Sequence, residues 1–196
     1  MGPSDESPET GAVLAGLPQS GNALGSPDAP VTLEYFGDLE CPFCRDFTLR
    51  ALPSIIQRWV RFGQLRIEYH ALETATREPD VFTTQQVAAL AAGKQGKAWE
   101  FIETFYRDQG EEGSGYVTEA FLHGIANSVP GLDIGEWTRD RTDPDLAAQI
   151  AADERAAESA GLSGTPSFLI GRTAGAMTTI DDQTSFDAAI ESLLGT

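Results

Sequence analysis

The chain has 196 residues, 41% of them hydrophobic, which suits one compact domain with a buried core. Its 30 acidic residues outnumber 13 basic ones, and the formal net charge of −17 disfavours binding to nucleic acid or to an anionic membrane surface. No segment approaches the roughly 18 apolar residues that span a bilayer. The protein is therefore either cytosolic or preceded by a signal or anchor that these residues do not include.

The first residues differ in composition from the rest of the chain. The opening "MGPSDESPET" is polar and rich in small residues and proline. Such a composition cannot bury enough apolar surface to fold by itself. We therefore predict a flexible or loosely docked lead-in over residues 1–30 and a folded domain over residues 31–196.

A strand, a long helix and a second strand follow in order. "VTLEYF", residues 31–36, is rich in β-branched and aromatic residues, as strands are. Apolar residues recur at helical spacing from Pro42 to about Phe62, with a kink expected at Pro53. "QLRIEYHAL", residues 64–72, alternates apolar and polar side chains. The two strands should be parallel, with a right-handed crossover.

A helical block, two further strands and a final helix complete the predicted fold. A helical insertion is predicted over about 77–160, followed by two short strands in "SFLI" and "AMTTI" and a final helix. Within the insertion, two helices should meet near Gly93–Gly96, and shorter ones should follow at about 118–128, 133–142 and 145–160. The order β-α-β, helical block, β-β-α predicts a layered α/β domain with one central sheet.

The stretch "GDLECPFCRDF" holds the only two cysteines of the chain, Cys41 and Cys44. Pro42 suits the first position of a helix, which places Cys41 at the N-cap and Cys44 one turn in. Free N–H groups and the helix dipole favour a thiolate at Cys41. We therefore predict Cys41 as the attacking sulfur and Cys44 as the resolving one.

A structural role for the cysteine pair fits its surroundings less well than a redox role. A structural zinc site needs four ligands, and we expect His70 and His123 to be packing residues, so no metal site is predicted. A structural disulfide that closes so small a loop would constrain the unfolded chain little. A strand–CxxC–helix order inside a βαβ unit is typical of thioredoxin-like redox motifs.

Thr165 and Pro166 stand just before the predicted strand "SFLI". Proline cannot donate to a sheet ladder, so it is expected only at the start or edge of a strand. The residues alone leave two alternatives open, an ordinary turn proline or a cis proline with a role at the site.

The segments "GSPDAPVTLEYFGDLECPFCRDF" and "GLSGTPSFLIG", with the helical insertion between them, resemble the thioredoxin superfamily and, within it, the DsbA-like thiol:disulfide oxidoreductases of bacteria. The resemblance implies a thioredoxin-like fold from about residue 25 to the C-terminus. It implies a cis Pro166 beside the cysteines and a backbone at Thr165 that binds substrate. The only redox group implied is the Cys41–Cys44 disulfide, with no separate cofactor.

The resemblance also carries expectations about partners and location. It implies thiol-containing protein substrates outside the cytoplasm, a membrane redox partner that resets the cysteine pair, and a monomer. Residues 1–30 would then be the remains of a stalk. The CPxC sequence and the insertion favour an oxidase. A reductase of the same fold remains an alternative, and a metal-handling binding module is a second alternative that fits the sequence less well.

Two residues depart from the pattern of this family. Tyr35 stands six positions before Cys41, where many relatives carry a buried acidic residue, so Asp38, Glu40 or water would have to accept protons instead. Phe43 stands between the cysteines, where strong oxidants often have histidine. Phe43 cannot stabilise a thiolate by charge, so we expect Cys41 to be less acidic than the value of about 3.5 in the strongest oxidants.

Overall fold

The computed structural model describes residues 10–195 of the chain, and a six-stranded mixed sheet lies at its centre. The strands lie side by side in the order β1-β2-β4-β3-β5-β6. Their bounds are Gln19–Ser20 (β1), Ala23–Leu24 (β2), Val31–Gly37 (β3), Leu65–Ala71 (β4), Ser167–Arg172 (β5) and Met177–Thr179 (β6). The predicted α/β class with one central sheet is confirmed.

The middle of the sheet is the pair formed by β3 and β4. These strands run parallel, with Tyr35 opposite Tyr69, and β5 adds antiparallel to β3 with Phe168 opposite Tyr35. Six of the seven residues of β3 are buried, as expected for a strand covered on both faces. The predicted βαβ unit is confirmed.

The helix that joins β3 to β4 changes its winding along its length. It begins as α2 (Pro42–Asp46), passes through a π-helical turn at Phe47–Ala51, returns to α-helix as α3 (Leu52–Ile55) and ends in a second π-helical turn at Ile56–Val60. Pro53 lacks an N–H and stands just after the first wide turn. The kink that we expected at Pro53 therefore begins about one turn before it, in the first π-helical turn.

The helical insertion lies between β4 and β5 in the chain and packs against β4, β1 and the connecting helix. Its helices are α4 (Pro79–Lys94), α5 (Ala98–Arg107), α6 (Glu119–Ser128), α7 (Ile134–Asp140) and α8 (Pro144–Ser159), and the final helix is α9 (Phe186–Leu194). All of these helices were expected, and Gly161 follows α8 at a φ of +71°, where glycine is favoured. None of the described helices combines the length and the apolar run that crossing a bilayer requires.

The two faces of the sheet carry cores of unequal size. The larger core packs Tyr35 and Phe168 against Phe47 of the connecting helix and Phe186 of α9. A smaller cluster on the other face joins residues of β3 and β5 to α8. Because side chains alternate along β3, the active-site helix lies on the face of Tyr35, and α8 lies on the face of Glu34 and Phe36.

The chain before residue 31 is better ordered than we predicted. A short helix, α1 (Thr10–Leu14), buries Val13 and Leu14, and the hairpin of β1 and β2 joins the sheet with Leu24 opposite Ile67 of β4. The prediction of a loosely docked lead-in is therefore wrong for this part, because Leu24 is fully buried. The same prediction for residues 1–9 lies outside the described residues.

Candidate active site

The cysteine pair lies at the start of the helix that follows β3. Cys41 is the N-cap of α2, Pro42 holds the first helical position, and the N–H of Cys44 donates to the Cys41 sulfur at 3.4 Å. Both thiols are free, with Cys41 4% exposed and Cys44 fully buried. The predicted placement of the pair on the helix is confirmed.

The two sulfurs differ strongly in acidity. A hydrogen bond from the Cys44 side chain, with further bonds from Thr165 and from the backbone at Cys44 and Phe43, favours a Cys41 thiolate. Together they lower the pKa of Cys41 to about 6 against the opposing effect of burial. Burial and the neighbouring Cys41 raise the pKa of Cys44 well above its ordinary value. Cys41 therefore supplies the thiolate, and Cys44 holds the proton.

Thr165 lies directly against the cysteine pair. Its carbonyl oxygen lies 3.4 Å from the Cys41 sulfur and accepts a hydrogen bond from it when Cys41 is protonated, and its peptide bond to Pro166 is cis. Strand β5 begins at the next residue, Ser167, so the proline ends the loop that faces the cysteines. The fold thus brings Thr165 to Cys41 across 124 positions of sequence.

Phe43 forms the outer surface of the site. It lies between the two cysteines and is 70% exposed, although it is a large apolar residue. Cys41, two positions earlier in the chain, is nearly buried, so Phe43 presents the larger exposed surface of the two. Phe43 therefore offers an apolar contact at the mouth of the site.

A network of hydroxyl groups lies beneath the first turn of α2. The Tyr35 hydroxyl donates to the carbonyl oxygen of Cys44 at 3.3 Å and lies 3.1 Å from the Thr48 hydroxyl and 3.4 Å from the Tyr106 hydroxyl. Burial and the nearby Cys44 raise the pKa of Tyr35 well above its ordinary value. Neutral hydroxyl groups thus lie where many relatives carry a buried acidic residue. No feature of the sequence indicated that Thr48 and Tyr106 belong to this network.

Asp38 anchors the loop that borders the site. Its buried carboxylate accepts hydrogen bonds from the backbone N–H groups of Thr74, Ala75 and Thr76 at 2.8–3.0 Å, and from the Thr76 hydroxyl at 2.6 Å. The Thr74 hydroxyl in turn contacts that of Thr165. The only sequence signal for this role is an aspartate between the end of β3 and Cys41.

Glu40 is the second acidic residue that we expected as a possible proton acceptor. It is 3% exposed, and burial, Asp38 and Glu78 raise its pKa despite a hydrogen bond with Thr76. Glu40 is therefore a buried carboxyl next to Cys41 in sequence whose charged form is disfavoured.

Comparison with known proteins agrees with this geometry. A family model described as Thioredoxin matches residues 19–191. The probable disulfide bond formation protein D of Bacillus cereus is 26% identical over 151 residues, which cover 76% of this chain and 68% of that protein. The crystal structure of oxidised BdbD from Bacillus subtilis has the same fold, with a TM-score of 0.75, 21% identity and coverage of 91% of this chain and 99% of that chain.

A third relative has a different overall organisation. The Na(+)/H(+) antiporter NhaA 1 of Salinispora arenicola is 31% identical over 153 residues, which are 78% of this chain and 22% of the antiporter. Only a small part of that protein therefore corresponds to this chain.

The chain belongs to the thioredoxin family, since the matching model covers most of its length. Within the superfamily it is DsbA-like, and it is a thiol:disulfide oxidoreductase.

Proposed function

We propose that the protein is an oxidase that introduces disulfide bonds into thiol-containing proteins outside the cytoplasm. The observation that carries this proposal is the lowered pKa of Cys41, about 6 at the start of α2. A stabilised thiolate favours the reduced form of the enzyme, and a pair whose reduced form is stabilised oxidises other thiols readily.

The reaction begins with the Cys41–Cys44 disulfide. A substrate thiolate attacks the Cys41 sulfur, the Cys41–Cys44 bond breaks, and its electron pair leaves with Cys44. The raised pKa of Cys44 means that this sulfur takes up a proton at neutral pH. The product is a mixed disulfide between the substrate and Cys41.

A second substrate thiolate completes the transfer. It attacks the substrate sulfur of the mixed disulfide, forms the substrate disulfide and releases Cys41 as a thiolate. The hydrogen bonds from Cys44 and the backbone stabilise this leaving group. The substrate loses two electrons, and the enzyme gains them as a free thiolate and a thiol.

The backbone at Thr165 is the proposed docking site for the substrate chain. Its carbonyl oxygen lies 3.4 Å from the Cys41 sulfur, at the end of the loop before β5. An extended peptide could pair with this backbone in the manner of an added strand. The exposed Phe43 ring would then contact an apolar side chain of the substrate next to its cysteine.

The remaining partners are proposed from the relatives. Proteins named for disulfide bond formation act on protein thiols, which supports a substrate of this class. An oxidase that works repeatedly needs an oxidant for its reduced cysteines, and we propose a membrane-bound redox protein. We further propose that the chain acts as a monomer and needs no cofactor besides its own disulfide.

The reduction potential of the pair is the direct test of the direction. We expect a value between the roughly −180 mV of protein disulfide isomerase and the roughly −120 mV of DsbA when the protein is equilibrated with glutathione buffers. A value near the roughly −270 mV of thioredoxin would instead identify a reductase.

Two cysteine variants test the assignment of roles. Cys41→Ser should abolish exchange with a reduced peptide, whereas Cys44→Ser should accumulate the mixed disulfide at Cys41. Mass spectrometry of the trapped complex identifies the bonded cysteine. Exchange that persists in Cys41→Ser would contradict the proposed role of the cysteine pair. One equivalent of copper in the purified reduced protein would favour the metal-handling alternative.

A further inference from the structure

A second group of ionisable side chains lies on the sheet face opposite the cysteine pair. Tyr35 points toward the active-site helix, so Glu34, its neighbour on β3, points to the other face. Glu34 is the register partner of Glu68 on β4, and His70 follows Glu68 on the same face. One ligand atom from each of Glu34, Glu68 and His70 lies within 4.8 Å of the others.

The imidazole of His70 is held in one orientation. Asp153 of α8 lies 2.8 Å from Nδ1 of His70 through one carboxylate oxygen, and the other oxygen accepts the N–H of Ala71 at 3.0 Å. The ring of Phe36 stacks on the imidazole with centroids 5.0 Å apart. These contacts aim Nε2 of His70 at the two glutamates.

Nε2 of His70 is buried and has no hydrogen-bond partner among residues 10–195. Its nearest polar neighbour is Oε2 of Glu68 at 3.7 Å, which is beyond hydrogen-bond distance. A buried polar atom without a partner is rare in native proteins and calls for an explanation. The position of this nitrogen between two carboxylates points to a bound cation.

The charges around this nitrogen are unbalanced. Glu34, Glu68 and Asp153 supply three carboxylates, and the fixed cation that contacts them within residues 10–195 is Arg66, whose Nε lies 2.8 Å from Oε1 of Glu68. Oε2 of Glu68 stays available, and Glu34 makes no hydrogen bond or ion pair with the described part of the chain.

We propose that Glu34, Glu68 and His70 bind a divalent transition-metal ion, with Zn²⁺ as the best match. Zinc takes imidazole nitrogen and carboxylate oxygen together, and three protein ligands plus water complete its coordination. Calcium and magnesium prefer oxygen ligands alone. Asp153 supplies the carboxylate that commonly orients a metal-bound histidine through its second nitrogen.

A proton on Nε2 is the competing occupant. Burial of His70 opposes its charged form, but the hydrogen bond with Asp153 and the nearby carboxylate of Glu68 outweigh this effect and raise the pKa of His70 to about 9. An imidazolium would also supply positive charge to the three carboxylates. The proton and the metal differ in one observable way, since only the metal needs the carboxylate of Glu34 as a ligand.

Calorimetric titration with ZnCl₂ tests the site in the full chain. The protein is first oxidised to the Cys41–Cys44 disulfide, so that its thiols cannot bind zinc. We expect one zinc ion per chain, with affinity lowered at least about tenfold in Glu34→Gln and in His70→Gln. His123→Gln, which changes the other histidine of the chain, is the matched control and should leave the affinity unchanged.

The imidazole nitrogen shifts provide an independent measurement. Zinc should move the ¹⁵N resonance of Nε2 of His70 and leave His123 unmoved. Should His70→Gln fail to fold, Glu34→Gln still tests the site, because the half-buried Glu34 carboxylate holds no other residue in place. Absence of saturable binding, or equal zinc affinity in Glu34→Gln, would overturn the proposal and leave a protonated His70 paired with Asp153.

Discussion

The hydroxyl of Tyr35 donates a hydrogen bond to the carbonyl oxygen of Cys44 at 3.3 Å. This contact connects the central strand β3 to the first turn of the active-site helix. Tyr35 is fully buried, and its ring packs against Phe47 and Phe168. The hydroxyl therefore positions the backbone of the resolving cysteine, although it cannot accept the proton of Cys44 while it is itself neutral.

Tyr35→Phe should destabilise the protein by about 1–2 kcal/mol, because a buried carbonyl and the Thr48 hydroxyl lose their partner while the ring packing is kept. Urea denaturation measures this change. Tyr69→Phe is the control, since the Tyr69 hydroxyl is bonded to Gln86. Only Tyr35→Phe should also slow exchange with a reduced peptide, and an equal effect of both variants would argue against positioning of Cys44.

The acidity of Cys41 should depend on the group at position 44. The side chain of Cys44 is the largest cause of the lowered Cys41 pKa of about 6. Cys44→Ala removes this donor and should raise the pKa of Cys41, whereas Cys44→Ser keeps a donor and should change it less. Thiolate absorbance near 240 nm as a function of pH measures both values, and equal values in the two variants would contradict this cause.

The same pKa predicts how the stability of the reduced protein varies with pH. The pKa of Cys41 is lower in the folded state than its ordinary value of 9.0, so its contribution to stability is full above that value and is lost as pH falls through about 6. The raised pKa of Cys44 has the opposite effect on stability. Its contribution is full below its ordinary pKa of 9.0 and is lost as the pH rises above that value. Between pH 6 and 8 the unfolding free energy of the reduced form should therefore rise relative to the oxidised form, as denaturation of both forms would measure.

Local sequence predicted the elements whose pattern repeats over many residues. The alternation in β4 and the helical spacing after Pro42 were long enough to identify, and the helix start indicated the roles of Cys41 and Cys44. The hairpin of β1 and β2 was missed because two-residue strands are too short to show alternation. Local patterns of this kind therefore predict the position of the redox pair on its helix.

Contacts that depend on strand register or on loop folding could not be read in this way. Glu34 meets Glu68 because β3 and β4 pair in one particular register, and Thr74 meets Thr165 because Asp38 folds the loop between β4 and α4. These residues are distant in sequence and belong to no common motif. The anchor of the site and the proposed metal ligands therefore became visible only in three dimensions.

Asp38→Asn should destabilise the protein by about 3 kcal/mol. The donors of the loop now share the two oxygens of the Asp38 carboxylate, and an amide would offer them only one. Asp46→Asn makes the same change in charge at an exposed position on the active-site helix and should cost little. Because the anchored loop carries Thr74, which contacts Thr165, Asp38→Asn should also raise the KM for a peptide substrate. Equal stability of the two variants would show that the loop does not need the Asp38 carboxylate.

Phe43→His should make the cysteine pair more oxidising. A histidine between the cysteines can donate to the Cys41 thiolate and carry positive charge, so the pKa of Cys41 should fall below its present value of about 6. We expect the reduction potential to rise by at least about 30 mV, equivalent to about 1.4 kcal/mol, in glutathione equilibration. Stability of the oxidised form should change little, because the Phe43 side chain is 70% exposed.

Phe62→His is the matched control for Phe43→His. Phe62 is 73% exposed and lies beyond the far end of the same helical segment, so histidine there has a similar environment without a thiolate beside it. Its potential should equal that of the unmodified protein. Because both variants lose one exposed phenyl ring and gain one imidazole, a difference between their potentials isolates the effect of histidine on Cys41. An unchanged potential in Phe43→His would mean that the backbone and Cys44, rather than the residue between the cysteines, determine the stability of the thiolate.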